Sequence, residues 1–391
     1  QKKGIARAVG LVLLATAGAQ VLAQTSGLEE IVVTAQKREE SLQDTPIAIS
    51  ALNAQTLENF GIANLSDLTL STPALQSYDF PTSSNNIALF LRGFGNTDSQ
   101  TLTIDNPVLW WRAGSGAPVL HDLVVRLGAQ GVYRRCGLRE ARLITEKDAA
   151  GLGFKFAING RDIFARGANW IPADALAGCI TVEATRDLLQ SAVDANMNMI
   201  RVWGGGRYEP DWFYDLCDEL GLMVWQDFMF SCHIYPANDT FLADVAIEVR
   251  EQALRLHHHA ALILWCGDNE LIGALTWFPE TRANRDLYLV GYDRLNRTIE
   301  AALKAAVPGA VWWPSSPSPG PMDFGDAWHD DSKGDMHFWS VWHEGRDFDH
   351  YRDVSPRFCS EFGFQSYPSL DVIRKFADPK DWNIAAPVME S

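Results

Sequence analysis

Two glutamates sit where an apolar run gives way to polar residues. Glu270 closes Leu264-Trp265-Cys266-Gly267-Asp268-Asn269-Glu270, and Glu361 lies within Ser360-Glu361-Phe362-Gly363-Phe364. Each follows a run that reads as a buried strand, Ala261 to Trp265 and Arg357 to Cys359. A carboxylate at the end of a buried strand is costly unless it is solvated, paired or used. Two of them, far apart in sequence and rich in aromatic neighbours, suit glycoside cleavage: one carboxyl protonates the leaving oxygen while the other attacks the sugar. The competing account makes each a structural glutamate satisfied by a nearby arginine.

The elements that must position this pair alternate between apolar strand runs and amphipathic stretches. Strands are expected at Ile163–Trp170, Met199–Trp203, Leu222–Asp227, Ala261–Trp265, Ala310–Pro314, Met336–Trp342 and Arg357–Phe362. Helices are expected at Thr181–Asn196, Tyr208–Leu220, Phe241–His258 and Leu287–Ala306, the second stopped by Gly221. This rhythm predicts an α/β chain, a (β/α)8 barrel one strand short. An open doubly wound sheet would need a glycine-rich phosphate turn after an early strand, and there is none.

In such a barrel, reactive groups cluster where strands end. The first strand ends at Asn169-Trp170, the second at Arg201-Val202-Trp203, the third at Asp227 and the fourth at Asn269-Glu270. The sixth supplies Trp339 and Trp342-His343, and the seventh supplies Glu361. Together they make a polar, aromatic-walled pocket suited to a sugar, with Trp203 and Trp342 readable equally as core or as sugar platform. Three other features read as structural. His257-His258-His259 has no clustered carboxylate or cysteine to complete a ligand set. Gly204-Gly205-Gly206 lacks the Lys and Ser/Thr of a phosphate loop and reads as clearance beside Trp203. Pro314 to Pro321 reads as a loop on the active face. No metal or cofactor is implied.

Composition narrows the partners. The 391 residues are 47% hydrophobic, enough for a large core, and the net charge of −16 argues against nucleic acid and anionic membrane surfaces. Six cysteines show no CxxC pair, and most lie in apolar runs and read as buried free thiols. Lys2, Lys3 and Arg7 precede the apolar run Ala8–Ala17, and Val21-Leu22-Ala23 fits a cleavage site. That is the layout of a signal peptide over residues 1–23, which predicts a periplasmic or outer-membrane location. A fusion artefact at the front would instead leave the remainder cytoplasmic.

Several long motifs resemble glycoside hydrolase family 2, and within it the β-mannosidases. They are Gly167 to Asp174 (GANWIPAD), Asn196 to Gly206 (NMNMIRVWGGG), Tyr214 to Phe230 (YDLCDELGLMVWQDFMF) and Leu264 to Glu270. The resemblance runs from about residue 109 to 391 and implies retaining hydrolysis of terminal β-D-mannosides. By its motifs Glu270 would be the acid/base, Glu361 the nucleophile and Asn269 the partner of the sugar 2-hydroxyl. Trp170, Arg201, Trp203, Asp227 and Trp342 would complete the substrate site. Retention implies carboxyl groups about 5–5.5 Å apart. Asp268 stands where the family more often has Asn, and would raise the pKa of Glu270 if close.

The front is different. Leu28 to Ala35, followed by Gln36-Lys37-Arg38, resembles a TonB box, an extended segment suited to strand addition through Glu29 to Thr34. Thr45 to Ser50, Leu65 to Leu68 and Leu91 to Phe94 resemble the plug domain of TonB-dependent receptors. The expected organisation is a signal peptide (1–23), a TonB box and small α+β plug-like fragment (24–108), part of an immunoglobulin-like β segment (109–150) and a C-terminally truncated barrel (151–391). A receptor plug fragment, or an inactive chimera of the two parts, is the alternative to an active glycosidase.

Overall fold

Strands that are apolar along their whole length, rather than at alternate positions, need cover on both faces. The barrel runs receive it. The computed structural model describes residues 106–127 and 130–390, together with the backbone of Val32–Val33, Glu40–Ser41, Leu75–Phe80, Ser83–Leu91 and Phe94–Gly95. The chain divides into two compact units, and every residue from Asn106 onward falls in the second. The expected signal peptide, TonB box and plug fragment therefore lie outside the described residues, apart from those five short strands.

Within the second unit, a five-stranded parallel sheet runs β1 (Gly167–Trp170), β2 (Met199–Val202), β3 (Met223–Asp227), β4 (Leu262–Cys266) and β5 (Trp312–Trp313), in that order. A separate parallel pair joins β6 (Met336–Phe338) to β7 (Cys359–Phe362). All of β2, β3 and β4 is buried. The crossovers are α1 (Val182–Asp194), α2 (Asp211–Leu220), α3 (Asp239–Leu256) and, after β4, α4 (Leu271–Trp277), α5 (Pro279–Ala283) and α6 (Arg285–Ala306). Their ends follow local chemistry. The Thr181 side chain accepts the Ala184 N–H at the start of α1, and Asn238 accepts the Phe241 N–H at the start of α3. Seven parallel strands with helical crossovers make an incomplete (β/α)8 barrel among the described residues.

An aromatic layer fills its interior. Phe154 stacks on Trp225 of β3 at 5.6 Å between ring centroids and meets Trp313 of β5 edge-on at 4.8 Å. Phe358, just before β7, closes on Phe154 at 5.0 Å. Phe154 leads into the antiparallel strand Lys155–Ile158, which pairs with both Ala141–Ile144 and Arg161–Ile163.

That small sheet corrects two boundaries. It straddles residue 150, where a domain break was expected, and it takes Ile163 out of the first barrel strand, which begins only at Gly167. A hairpin, His121–Leu127 with Gln130–Cys136, precedes it. β6 also stops at Phe338, because Ser340–His343 winds into a short helix that turns Trp342 away from the strand axis. Between β7 and β1 there is no ladder among the described residues. Asn169 Nδ2 donates to the Ser360 carbonyl there, at 3.3 Å.

Gly221 ends α2 in the left-handed region at φ 71°, and a Cβ there would lie 2.7 Å from the Ala113 backbone nitrogen. Gly221→Ala should therefore destabilise the fold by roughly 1–3 kcal/mol. The check is the shift in the thermal unfolding midpoint; an unchanged midpoint would remove this turn from the list of constraints.

Candidate active site

Arg201 lies at the centre of the site. It is carried by β2 and almost fully buried, so its guanidinium must find partners inside the barrel. Nη2 donates to Asp227 Oδ2 and to Asn269 Oδ1, both at 2.7 Å, and Nε donates to Asp227 Oδ1 at 3.3 Å. Nη1 donates to Asn169 Oδ1 at 3.1 Å and to Glu361 Oε1 at 2.5 Å. Burial acts to lower its pKa, but the charges of Asp227 and Glu361 outweigh that and hold the guanidinium protonated. Burial likewise pushes the Asp227 carboxyl up, to about 6, against the pull of Arg201, the Gly204 N–H and the Trp225 indole.

Glu361 lies on β7 and is 8% exposed. Besides Arg201 it accepts the Trp339 indole N–H on Oε2 at 3.3 Å. Glu270 follows β4 with its backbone in the left-handed region, φ 60°, a conformation uncommon outside glycine and one that gathers at functional sites. Its N–H is tied to the Ser316 carbonyl at 2.9 Å, and the Cys232 thiol donates to Oε2 at 3.4 Å. Burial raises the Glu270 carboxyl above its ordinary range, offset in part by Cys232, Arg201, His343 and Trp328.

Between the two carboxyls stands His337 of β6, fully buried. Its Nδ1 is 2.6 Å from Glu270 Oε1 and 3.4 Å from Glu361 Oε2, and the facing atoms of the three groups lie within 4.8 Å of one another. Carboxyl oxygens this close match the short separation of a retaining pair better than the wider one of an inverting pair. A cavity of about 1100 Å³ opens over them. Asn169, Trp203, Cys232, Asn269, Trp328, Trp339 and His343 share its wall with both glutamates.

The expected site residues divide. Glu270, Glu361, Asn269 and Trp203 line the cavity, and Gly205 is the clearance beside Trp203, since a Cβ there would lie 2.0 Å from its ring. Arg201 and Asp227 lie beneath the wall as a buried pair, so they position other groups rather than meet a ligand. Trp170 gives its indole N–H to Glu209 at 3.0 Å and packs on Phe213, outside the cavity. Trp342 packs edge-on against Phe364, also outside it, because the chain turns into a helix at Ser340. Asp268 turns away as well. Its Oδ1 accepts from Ser315 Oγ and the Leu271 N–H, so its charge is not beside Glu270.

Other groups carried no warning. His337 was hidden inside an apolar strand run, Trp328 in a loop of Gly and Asp residues, and Cys232 in a loop after β3. The histidine run also gains carboxylates: His259 Nδ1 lies 2.7 Å from Asp218 Oδ2, with Asp215 close by, all brought from α2 by the fold. Asp218 also accepts the Ala261 N–H, so the group pins α2 to the start of β4. All six cysteines are free thiols, but contrary to expectation only Cys217 and Cys266 are buried, with Cys179 exposed and the other three half-buried.

A parallel barrel with two close, differently surrounded carboxyls at its strand ends defines a class, the O-glycosyl hydrolases of barrel fold. Within that class, the chain is a homologue of β-mannosidases. It is 38% identical over 326 residues to the "Beta-mannosidase" of Capra hircus, a match covering 76% of this chain and 36% of the relative. It is 36% identical over 303 residues to "Beta-mannosidase B" of Aspergillus flavus, covering 71% and 34%. The solved β-D-mannosidase of Dictyoglomus thermophilum superposes with a TM-score of 0.65 at 40% identity, covering 74% of this chain and 36% of that one. The chain thus spans about a third of the length of the curated relatives it matches. Residues 41–110 match the TonB-dependent Receptor Plug Domain. The last residue of that match, Trp110, is buried in the second unit and gives its indole N–H to the Asp218 carbonyl at 2.9 Å.

Burial raises Asp268 to about 7, well above an ordinary aspartate. Between about pH 4 and 7 the folded state then holds a proton that the unfolded chain releases, so stability falls as pH rises through that window. Asp268→Asn should remove this group's share of the dependence and leave that of Asp227. The variant should gain up to roughly 4 kcal/mol over the parent at pH 8 and nothing at pH 4. Unfolding midpoints across pH measure this, and a gap that widens towards acid would contradict it.

Proposed function

We propose that the barrel is the catalytic part of a retaining glycosidase acting on terminal β-D-mannosides. The observation that carries this reading is the carboxyl pair, within hydrogen-bonding reach of one histidine yet set in unlike surroundings. Glu361, charge-paired with Arg201, is presented as the nucleophile. Glu270, raised by burial, is suited to hold the proton that the leaving oxygen must receive. In the first step Glu361 attacks the anomeric carbon as the glycosidic bond breaks, its electron pair leaves on oxygen, and Glu270 protonates that oxygen. In the second step Glu270 takes a proton from water, which displaces Glu361 and restores the starting configuration. Asn269 Nδ2, on the cavity wall, is placed to meet a sugar hydroxyl, and Trp203 offers an aromatic face. Homology to β-mannosidases supports mannose as the sugar.

Glu361→Ala should reduce hydrolysis of an aryl β-mannoside by at least about 10⁴-fold. Added azide should restore part of the turnover and yield the α-mannosyl azide. Recovery of the β-azide, or loss of hydrolysis without any rescue, would remove Glu361 from the nucleophile's role.

A second reading concerns the front of the chain, and the plug match at residues 41–110 favours it. We propose that Glu29 to Thr34 can add as a strand to the C-terminal domain of TonB, and that residues 1–23 direct the chain to the periplasm or outer membrane. A peptide covering these residues should bind that domain in titration calorimetry. Equal heats from a peptide with Ile31, Val32 and Val33 replaced by proline would exclude strand addition.

A further inference from the structure

Behind Glu270 a chain of buried groups runs away from the cavity, and its proton count decides the state of the glutamate. Asp335, fully buried, accepts four hydrogen bonds. Oδ1 takes the Trp313 indole N–H at 2.7 Å and the Ser318 N–H at 2.8 Å, and Oδ2 takes the hydroxyls of Ser360 at 2.6 Å and Ser316 at 2.7 Å. A carboxylate only accepts, so the Ser316 proton points at Asp335. Ser316 Oγ is also 3.0 Å from His337 Nε2, and with its proton committed it can only accept there. Nε2 therefore carries hydrogen. A neutral ring then has a bare Nδ1, and Nδ1 lies 2.6 Å from Glu270 Oε1. Two acceptors cannot sit at that distance without a proton between them.

We propose that His337 is a positioning residue for the acid/base: backed by Ser316 and Asp335, it accepts a hydrogen bond from Glu270 and keeps that carboxyl protonated in the resting enzyme. This rests on the glycosidase reading for its consequence, though not for its geometry. The two groups share one proton, and burial pushes them in the directions this assignment needs, His337 down to about 4 and Glu270 up. The other groups facing the pair are Glu361, Arg201, Cys232, His343 and Trp328. Glu361 needs nothing from Nδ1, since Arg201 and Trp339 donate to it. His337 thereby keeps the two carboxyls in different states: it holds the acid's proton and offers none to the nucleophile.

The sign of one shift tests this. The alkaline limb of kcat/KM for an aryl β-mannoside reports the acid in the free enzyme. An accepting His337 stabilises protonated Glu270, so His337→Gln should move that limb to lower pH by about one unit. Ser316→Ala should move it the same way by less. A donating His337 would give an upward shift, and a merely structural one no shift; either result overturns the proposal. The ring state is read independently of turnover from the ¹⁵N spectrum of the histidine-labelled full chain. The His337 signal is assigned by its loss in His337→Gln or, if that variant does not fold, by its displacement in Ser316→Ala. Hydrogen on Nε2 with bare Nδ1 is expected, and hydrogen on Nδ1 overturns it. Absence of β-mannoside hydrolysis by the parent would sink the glycosidase reading and leave the ring measurement to decide this one.

Discussion

One buried guanidinium ties the barrel to its chemistry. Arg201 rises from β2 and reaches Asn169 on β1, Asp227 on β3, Asn269 after β4 and Glu361 on β7. Five strand ends thus share a single cation. A buried ion pair is weak evidence of net stability, because desolvation offsets much of the attraction, whereas a partner left alone is costly by about 3–5 kcal/mol. Its value lies in geometry. The planar fork gives Asp227 two donors on one side and divides the rest between two asparagines and a glutamate. Glu361 cannot drift without breaking a 2.5 Å contact to a group that is itself held by four others.

Much of this was legible from residue order, for an identifiable reason. Strand runs in a parallel barrel are covered on both faces, so their apolar content marks them, and a carboxylate at the end of one stands out. That logic finds Glu270 and Glu361 and places Asn269 and Trp203 beside them. It fails where a side chain's direction matters more than its position. Arg201 and Asp227 occupy strand-end positions like the others, but their side chains satisfy each other below the wall. Trp170 and Trp342 have the right residue type and the wrong orientation, one committed to Glu209 and the other lifted off the barrel by the helix starting at Ser340. His337 is the opposite failure. Set between Met336 and Phe338 it reads as one more position in a buried strand, and only the fold reveals that Asp335 and Ser316 stand behind it.

The seam between β7 and β1 shows a different dependence. Within each of the two sheets neighbouring strands are fixed by backbone ladders, but here the described residues offer the side chain of Asn169 to a carbonyl of Ser360. Asn169 is also a partner of Arg201, so the network that holds Glu361 extends to the seam beside it. From the end of β7 onward the chain exposes Phe362, Phe364, Phe376 and Ile384, apolar surface of the kind that neighbouring elements cover in a closed barrel. Placement of Glu361 therefore draws on the interior network more than on its own sheet, which is only two strands wide.

That network also explains how two identical side chains come to differ. Carboxyls whose oxygens lie within 4.8 Å of a common histidine nitrogen would repel strongly if both were charged in a buried site. A symmetric environment would leave the pair sharing a proton without assigning it. Here the cation comes from β2 and pairs directly with Glu361, whereas Glu270 feels that same Arg201, and His343, only at longer range. Glu270 meets instead a thiol, an imidazole backed by an accepting chain, and burial. Burial and the accepting imidazole favour the neutral acid; the Cys232 thiol, itself pushed up to about 11, pulls the other way without overcoming burial. The difference between the glutamates' surroundings therefore follows from which strand carries the arginine, and exchanging the two environments would require moving that charge across the barrel.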